Sequence, residues 1–430
     1  MRPLRILVIA YYFPPLNSTA SHRPYSWAAA WAKAGHEVHV LTTEKYSFDG
    51  ALDLDHDLST FRVHLTPYLH KEWSATANGG HEARNVAQRW DRLKIVTRHV
   101  RLGLGMFGEL AWLAYRPLLR QAVELSRRHR FDFVISTSPP EVVHFVGYAL
   151  ARRTGVPWVA DYRDLWFPEM RINQFRSTAW LTGVLKRPRL LRAAAVSTVS
   201  EGLSRRLGAF LGRDVIVCYN GFFPEGVADR ILRPWEDDKK HIVYTGRLFP
   251  KKRDPGRFFA GLARALQEQP RLADMLCVDL YGYDDPWVRE AILAHGVERC
   301  VQVHGLVAHR DSLTAQHHAN MLLFVDWMDE RAEGILTGKL FEYFASGGSI
   351  LCVGNRRDSE AAQLIAQINA GTTVCTEDEV RDQLLALARR DSEPICRPDR
   401  HRIERYSRFR QADLLLGRIV DAIGTAEAGR

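Results

Sequence analysis

The sequence predicts an α/β protein built from two doubly wound parallel sheets, and three features predict it. Apolar runs of strand length alternate with segments of helical periodicity. The alternation comes in two series, separated by a stretch rich in Pro, Gly and charge. At 430 residues the chain is too long for one ordinary domain and suits two. A hydrophobic content of 46% and a charged content of 25% are globular values.

The first series opens with the strand RILVIAYY, a loop, the helix SHRPYSWAAAWAKAG and the strand HEVHVLTT. Trp27, Ala30, Trp31 and Ala34 follow helical spacing, and Gly35 is placed to stop the helix. FRVHLTPY is a further strand. After a basic helical stretch come the strand FDFVISTSPP, the helix EVVHFVGYALARRTG and the strands PWVADYRD, AAAVSTVS and VIVCYN. The second series alternates strand and helix through HIVYTG, DPGRFFAGLARALQEQ, LCVDLYG, DPWVREAILAHG, VQVHGLV, LTAQHHAN and MLLFVD. It then runs through the helix in TGKLFEYFASGG, the strand SILCVG, the helix SEAAQLIAQIN and the strand GTTVCT. The expected organisation is an N-terminal domain over 1–222, a linker over 223–240 and a C-terminal domain over 241–405. A last helix over 406–430 is expected to cross back onto the first domain.

The six cysteines form no C-x-x-C pair, which argues against a disulfide framework or a zinc site and for a reducing cytoplasm. The N-terminal apolar run is only about seven residues and reads as a buried strand, not a signal peptide. Nowhere do about 18 uncharged apolar residues run together, so no membrane-spanning helix is expected. The formal charge is +9, part of it local. Arg84, Arg89, Arg92, Lys94, Arg98, Arg101, Arg116, Arg120, Arg127, Arg128 and Arg130 are interleaved with Trp90, Trp112 and Tyr115. That pattern suits either an anionic membrane surface or an ordinary solvated helix pair with a buried aromatic stripe.

In open parallel sheets ligands bind beyond the carboxyl ends of the strands, and two such sheets facing each other make a cleft. The loops there carry the polar residues of interest. Thr337 is placed to cap a helix whose free N–H groups and dipole favour phosphate, and Lys339 adds a full charge. Glu342, one turn later, suits the vicinal hydroxyls of a ribose. The alternative for this helix is simple capping with a solvated face. Gly246 allows a tight turn after the strand HIVYT, and Arg247 and Lys252 from that loop suit a diphosphate. Neither a phosphate-binding G-x-x-x-x-G-K-[ST] run nor a G-x-G-x-x-G run after the first strand is present, so a P-loop enzyme or a dinucleotide fingerprint is not indicated. Asp161 and Asp164 follow a first-domain strand and are candidates for a general base or acceptor clamp. Asp164 could equally cap a helix. Arg163 is either a second anion contact or a partner for an aspartate. Arg23 could reach a phosphate, His22 is open, and His144 on an apolar helix reads as a packing residue.

In order and spacing, YYFPP, AGHEVHVLT, STSPP, GVPWVADYRDLW, VSTVSEGL, YNGF, YTGRLFPKK, VQVHGLV and TGKLFEYFASGGSIL resemble the retaining, nucleotide-sugar-dependent glycosyltransferases of family 4 over most of the chain. The resemblance implies the GT-B fold, with two Rossmann-like domains facing a cleft and the C-terminal helix crossing back. It implies diphosphate contacts from Arg247 and Lys252, a ribose contact from Glu342, and closure of the first loop, Asn17-Ser18-Thr19, over phosphates and sugar. Three departures stand out. The Glu-x7-Glu motif of the family would begin at Gly334, with Glu333 adjacent. Asn17, Ser18 and Thr19 stand where many members have glycines. Arg163-Asp164 stands where many have a histidine.

The expectation is therefore a cytoplasmic enzyme, peripheral at the inner face of a membrane. It would move a sugar with retention from a nucleoside diphosphate sugar to a lipid-linked or polysaccharide acceptor. Neither a cofactor nor a metal, and no nucleic acid, is expected. A sugar-nucleotide epimerase of the same fold and a basic RNA- or membrane-binding protein are the alternatives.

Overall fold

A computed structural model describes residues 2–47, 49–68, 109–163, 186–224, 235–329, 333–389, 396 and 398–428. The chain divides into two compact units, Met1–Tyr219 with Arg408–Arg430, and Asn220–Ser407. The first crossing falls at Tyr219, not at 222, because the backbone changes partners there. The Cys218 N–H still bonds to Thr198 O of the first unit (2.8 Å) and the Phe222 N–H already bonds to Tyr406 O of the second (3.1 Å).

The first unit contains β1 (Arg5–Ala10), α1 (Thr19–Lys33), β2 (Glu37–Thr43), β3 (Arg62–Thr66), α2 (Tyr115–His129) and β4 (Phe133–Ser138). It continues through α3 (Val142–Thr154), β5 (Trp158–Tyr162), β6 (Ala195–Thr198), α4 (Glu201–Leu211) and β7 (Ile216–Val217). The sheet order is β3-β2-β1-β4-β5-β6-β7, and every pairing is parallel. Ile6, Leu7, Val8 and Ile9 are fully buried, which is why β1 reads as an unbroken apolar run.

The second unit contains β8 (Lys240–Thr245), α5 (Gly256–Glu268), α6 (Leu272–Met275), β9 (Leu276–Tyr281), α7 (Pro286–His295), β10 (Val301–Gly305), α8 (His309–His318) and β11 (Met321–Val325). It closes with α9 (Gly338–Ser346), β12 (Ile350–Val353), α10 (Glu360–Gln367), β13 (Gly371–Val374), α11 (Glu377–Arg389) and α12 (Arg400–Glu404). Its order is β10-β9-β8-β11-β12-β13, again parallel. α11 is an addition to the expected elements. Its Val380 and Leu384 are buried in the same cluster as Phe258 and Leu262 of α5. Only a glycine fits at 261, because a Cβ there would lie 2.5 Å from Val380 Cβ.

The tail forms α13 (Arg408–Ala428) and is part of the first unit. It buries Ala412, Leu415 and Ile419, and Ala412 O accepts from Trp31 Nε1 of α1 (2.9 Å). Of the basic segment, 84–108 lies outside the described residues. In the remainder the aromatic stripe faces inward, as in the second of the two readings of this segment. Trp112 packs edge-on against Phe145 (4.9 Å), Tyr115 lies against the core, and α2 buries Leu118, Leu119 and Ala122. Arg116, Arg120, Arg127, Arg128 and Arg130 are exposed.

In both sheets the strand order reverses beside the first strand, between β1 and β4 and between β8 and β11. That reversal splays the loops and opens a crevice at the carboxyl ends. In the first unit the crevice floor is held by a buried ion pair. Arg23 of α1 donates Nε to Asp161 Oδ2 (3.0 Å) and Nη2 to Asp161 Oδ1 (2.7 Å). Asp161 also accepts from Thr137 Oγ1 and Ser197 Oγ, each at 2.7 Å, and Arg23 Nη1 bonds Cys218 O (2.7 Å). The pair therefore ties α1, β4, β5, β6 and the end of β7 together. Burial pushes the Asp161 pKa up, but Arg23 and the two hydroxyls hold it below the usual value.

A second buried network spans β8, β9 and β10. His241 bonds Asp279 through Nδ1 (2.6 Å) and Asp237 through Nε2 (2.7 Å), and His304 Nε2 meets Asp279 (2.7 Å). Trp235 stacks on His241 at 3.8 Å. Burial opposes the imidazolium, yet the two carboxylates more than offset it and raise the His241 pKa.

Both networks can be tested through stability. Asp161→Asn leaves a buried guanidinium unpaired and should lower the unfolding free energy by about 3–5 kcal/mol, measured by urea denaturation; unchanged stability would show that the pair does not hold the unit together. For His241, the raised folded pKa makes its contribution complete below about pH 6.5, the unfolded value, and lost as pH rises through the folded pKa. Asp279 and Asp237, whose pKa values are lowered, contribute above about pH 4 and lose that contribution on acidification. The gap in unfolding free energy between the wild type and His241→Asn should therefore be widest near pH 5–6 and narrow towards pH 9. A gap that does not change with pH would mean that His241 is neutral in the fold.

Candidate functional site

In the second unit the predicted donor residues collect on the loop after β8 and on the first turns of α9. Gly246 turns the chain with φ +104°, and a Cβ there would sit 2.9 Å from Lys339 Nζ. A side chain there would be strained by the positive φ and would push the Lys339 side chain aside. Lys339 Nζ lies 3.9 Å above the Tyr244 ring and donates to the Tyr244 hydroxyl (2.7 Å). Burial, reinforced by the charge of Arg253, pushes the Lys339 pKa well below its ordinary value, and Glu342 only partly opposes this.

Arg253 is the residue that sequence reasoning missed. It is 5% exposed, lies 4.9 Å from the Trp327 ring, and its buried Nε and Nη2 have no hydrogen-bond partner. A short hairpin puts it there: Phe249 and Arg253 exchange backbone bonds (3.1 and 2.9 Å), with Lys251 at φ +61° in the turn. In KKR only the alternation of exposed, half-buried and buried positions separates the three cations, and that pattern comes from the hairpin.

Arg247 stands further out. Its guanidinium lies 4.6 Å from the Tyr283 ring and 5.4 Å from Phe249, with Asp285 Oδ2 3.6 Å away. The Lys252 side chain is half-buried and forms no ion pair among the described residues. Its backbone carbonyl accepts from Met328 N–H (2.7 Å), which joins the β8 loop to the β11 loop.

Thr337 occupies the N-cap position of α9 with extended backbone, but its hydroxyl makes no capping bond and its buried Oγ1 has no partner. The expectation of a side-chain cap is thus corrected. Leu340 N–H already donates to Thr337 O (3.1 Å), so the first-turn N–H groups without a backbone partner among the described residues are those of Gly338 and Lys339, and the helix dipole adds partial positive charge to Lys339 and Arg253. Glu342 is 30% exposed; its Oε1 lies 3.2 Å from His309 Nε2, and Oε2 accepts from the buried Gln316 amide (3.3 Å). Gln316 also donates to Thr245 Oγ1 (3.1 Å), so β8 fixes the carboxylate through it. Glu333 is not grouped with these residues. It lines a cavity of about 60 Å³ with Asp326, Asn355 and Ser359, bordered by none of Gly246, Lys339 or Glu342.

In the first unit the structure reassigns several residues. Ser18 is the N-cap of α1, its Oγ accepting from Ala20 N–H (3.3 Å), and Thr19 is the first helical residue. The expected loop residues therefore begin a helix at the carboxyl end of β1, and Asn17 is tied to Asp53 (2.9 Å). Arg23 is fully engaged with Asp161 and two carbonyls and cannot turn to a phosphate. Asp161, fully buried with four bonds, is not a base facing a ligand. Arg163 is buried too, bonding Ser138 O (3.0 Å), Ala20 O (2.6 Å) and Pro139 O (2.9 Å). It clamps the β4 loop to the start of α1 and is not an open anion contact. Asp164 lies outside the described residues. His144 packs against Tyr162 at 4.4 Å and bonds Ser136 Oγ (2.7 Å), and burial lowers its pKa to about 4. His22 pairs with His56 (3.1 Å).

The family model for the Glycosyl transferase 4-like domain matches residues 19–221, a span containing α1, the Arg23–Asp161 pair and the Arg163 clamp. No curated protein matches the sequence. Among solved structures, sucrose-phosphate synthase from Thermosynechococcus elongatus has a TM-score of 0.61 at 13% identity, covering 98% of this chain and 100% of that one. A glycosyltransferase from Rickettsia africae has a TM-score of 0.60 at 12% identity, covering 98% and 99%. HepE from Anabaena, in a complex with UDP and glucose, has a TM-score of 0.55 at 14% identity, covering 99% of each chain. No helix among the described residues is long and apolar enough to cross a membrane. The structural likeness carries the two-domain GT-B fold, and the match over residues 19–221 carries a Glycosyl transferase 4-like domain and with it the activity class of a glycosyltransferase.

Proposed function

We propose that the second unit binds a nucleoside diphosphate sugar and that the enzyme transfers the sugar with retention to a lipid-linked or polysaccharide precursor. One observation carries the donor assignment. Arg253 and Lys339 are two cations in one buried setting, and the Nε and Nη2 of Arg253 have no hydrogen-bond partner among the described residues, although buried Asp326 lies near enough to act on it. An isolated buried cation is costly, and a diphosphate is a partner that neutralises both. The open first turn of α9 adds backbone donors, and Arg247 and Lys252 flank the site from the same loop. Glu342, pre-set by Gln316, accepts from the ribose hydroxyls. The Anabaena protein HepE has been crystallised with UDP and with UDP-glucose, which supports a donor of this class.

In this reading charge that builds on the departing diphosphate is stabilised by Arg253, Lys339, Lys252 and the start of α9, with no metal in the donor site. Asp164, which comes after β5 at its carboxyl end, is the group proposed to accept the proton of the acceptor hydroxyl. Retention and the acceptor class are carried over from the family 4 resemblance. The exposed arginines of α2 support an anionic acceptor or surface. Incubation with a panel of labelled nucleotide sugars and lipid-linked acceptors tests the whole reading. Conversion of the donor sugar without transfer would instead indicate an epimerase.

The donor site makes a prediction with two signs. Arg253→Met removes a buried charge whose Nε and Nη2 no described residue satisfies, so the ligand-free protein should gain about 1–4 kcal/mol of stability. Its affinity for the donor should fall about ten- to hundredfold, as expected for a charge-assisted contact of about 1.5–3 kcal/mol. Glu342→Ala should weaken donor binding with the fold intact, and donor binding should not change in a chelator. An Arg253→Met protein that is less stable and binds donor normally would make Arg253 a structural residue. For Asp164, Asp164→Asn should lower turnover by about 10²–10⁴-fold with donor affinity kept; wild-type turnover would remove it from the reaction.

A further inference from the structure

At the amino end of β2, away from the strand-end loops, the first unit gathers three histidines and a glutamate. Glu37 and His39 are two residues apart on a strand and so point to the same face. His64 lies on the same face of β3, since Arg62 pairs with His39 in register and His64 is two residues further on. His129 is the last residue of α2. The rings of His39 and His129 are 4.2 Å apart, and those of His39 and His64 stack at 5.1 Å.

We propose that Glu37, His39 and His129 form a binding site for a divalent transition-metal ion of the zinc type. The ligand atoms are Glu37 Oε1, His39 Nε2 and His129 Nδ1, all within 4.8 Å of one another. Glu37 Oε1 is 3.1 Å from His39 Nε2 and 3.6 Å from His129 Nδ1. A tetrahedral zinc with bonds of about 2.0–2.1 Å holds its ligand atoms roughly 3.3 Å apart, so the glutamate oxygen already stands near the required spacing from both histidines, and the two histidine nitrogens lie within 4.8 Å of each other. His39 Nδ1 is 3.0 Å from His64 Nε2. With His64 accepting from Nδ1–H, the Nε2 lone pair of His39 turns to the metal, the outer-shell arrangement that orients a ligating imidazole. Glu37 is 36% and His129 24% exposed at the side chain, which leaves an entry path and a fourth position for water.

Two arginines touch the glutamate. Arg5 Nε holds the other oxygen, Oε2 (3.1 Å), and fixes the carboxylate without occupying Oε1. Arg62 Nη1 reaches Oε1 at 3.4 Å from an exposed side chain, and a metal would displace it. The carboxyl end of the α2 dipole faces the same place and favours a cation. A second group of potential ligands among the described residues, His241, Cys277 and Asp279, does not compare. There both imidazole nitrogens already face carboxylates, which raise the pKa of the ring. The site proposed here would pin the β2–β3 edge to the end of α2.

Calorimetric titration of the full chain with zinc chloride at neutral pH tests this. One tight equivalent is expected, with a rise in thermal midpoint on binding. Glu37→Gln and His129→Gln should each abolish it; both positions are partly exposed, so these variants are expected to fold. His64→Gln should weaken binding about 10–100-fold, and Arg62→Gln should strengthen it. Cobalt(II) should give a visible d–d absorption in the wild type that is missing in His129→Gln. Absence of a tight equivalent, or an equivalent that survives in both Glu37→Gln and His129→Gln, would overturn the proposal.

Discussion

A charge taken out of water has to be neutralised, and the two units meet that constraint in opposite ways. In the first, Arg23 is satisfied from within: Asp161 faces it in bidentate geometry, and the remaining oxygen capacity of Asp161 goes to two hydroxyls. In the second, Arg253 is equally buried, yet two of its N–H groups face nothing, and Lys339 beside it is disfavoured as a cation. The first arrangement is complete without a ligand and holds five elements in place. In the second, buried Asp326 and half-buried Glu342 act on the cations from nearby, but no described residue hydrogen-bonds Arg253 Nε or Nη2. Burial alone does not separate a scaffold arginine from a binding arginine; the count of unsatisfied donors does.

The same logic explains why catalytic aspartates are hard to pick by position. Asp161 and Asp164 sit at the end of the same apolar run and look equivalent in the sequence. Asp161 belongs to β5 and points to the face covered by α1, where Arg23 waits. Arg163 is drawn into the same scaffold by three carbonyls of the β4 loop and α1. Together these residues set where the β1 and β4 loops end, and with them the start of α1. Their contribution to activity runs through the backbone they position.

Glu342 shows the complementary device. A carboxylate at the rim of a site swings freely unless something holds it, and freedom lost on binding weakens binding. Gln316, fully buried on α8 and anchored to Thr245, holds one oxygen before any ligand arrives. The helix that carries Glu342 is in turn held by Tyr343, whose hydroxyl accepts from the Thr245 N–H (3.0 Å). Strand β8 thus places both the loop that carries Arg247 and Arg253 and the carboxylate.

The sequence by itself determined the α/β class, both sheets and nearly every strand, because a strand buried on both faces has to be an unbroken apolar run. It also located the strand-end loops and the Lys339–Glu342 helix, since each of these lies at a fixed place relative to a strand that is legible on its own. α11 escaped although Val380, Leu384 and Leu387 have helical spacing: it comes after the last strand, where alternation asks for no further helix. Pairing was decided only by the tertiary structure. Arg23 and Asp161 are 138 residues apart, Arg253 is one of three adjacent cations, and Glu37, His39, His64 and His129 come from three elements. Cysteine spacing can mark a metal site along the chain, but a histidine group on neighbouring strands and a helix end exists only once register and packing bring it together. Which charges are neutralised depends on contacts distant in sequence, and the roles of these residues depend on that neutralisation.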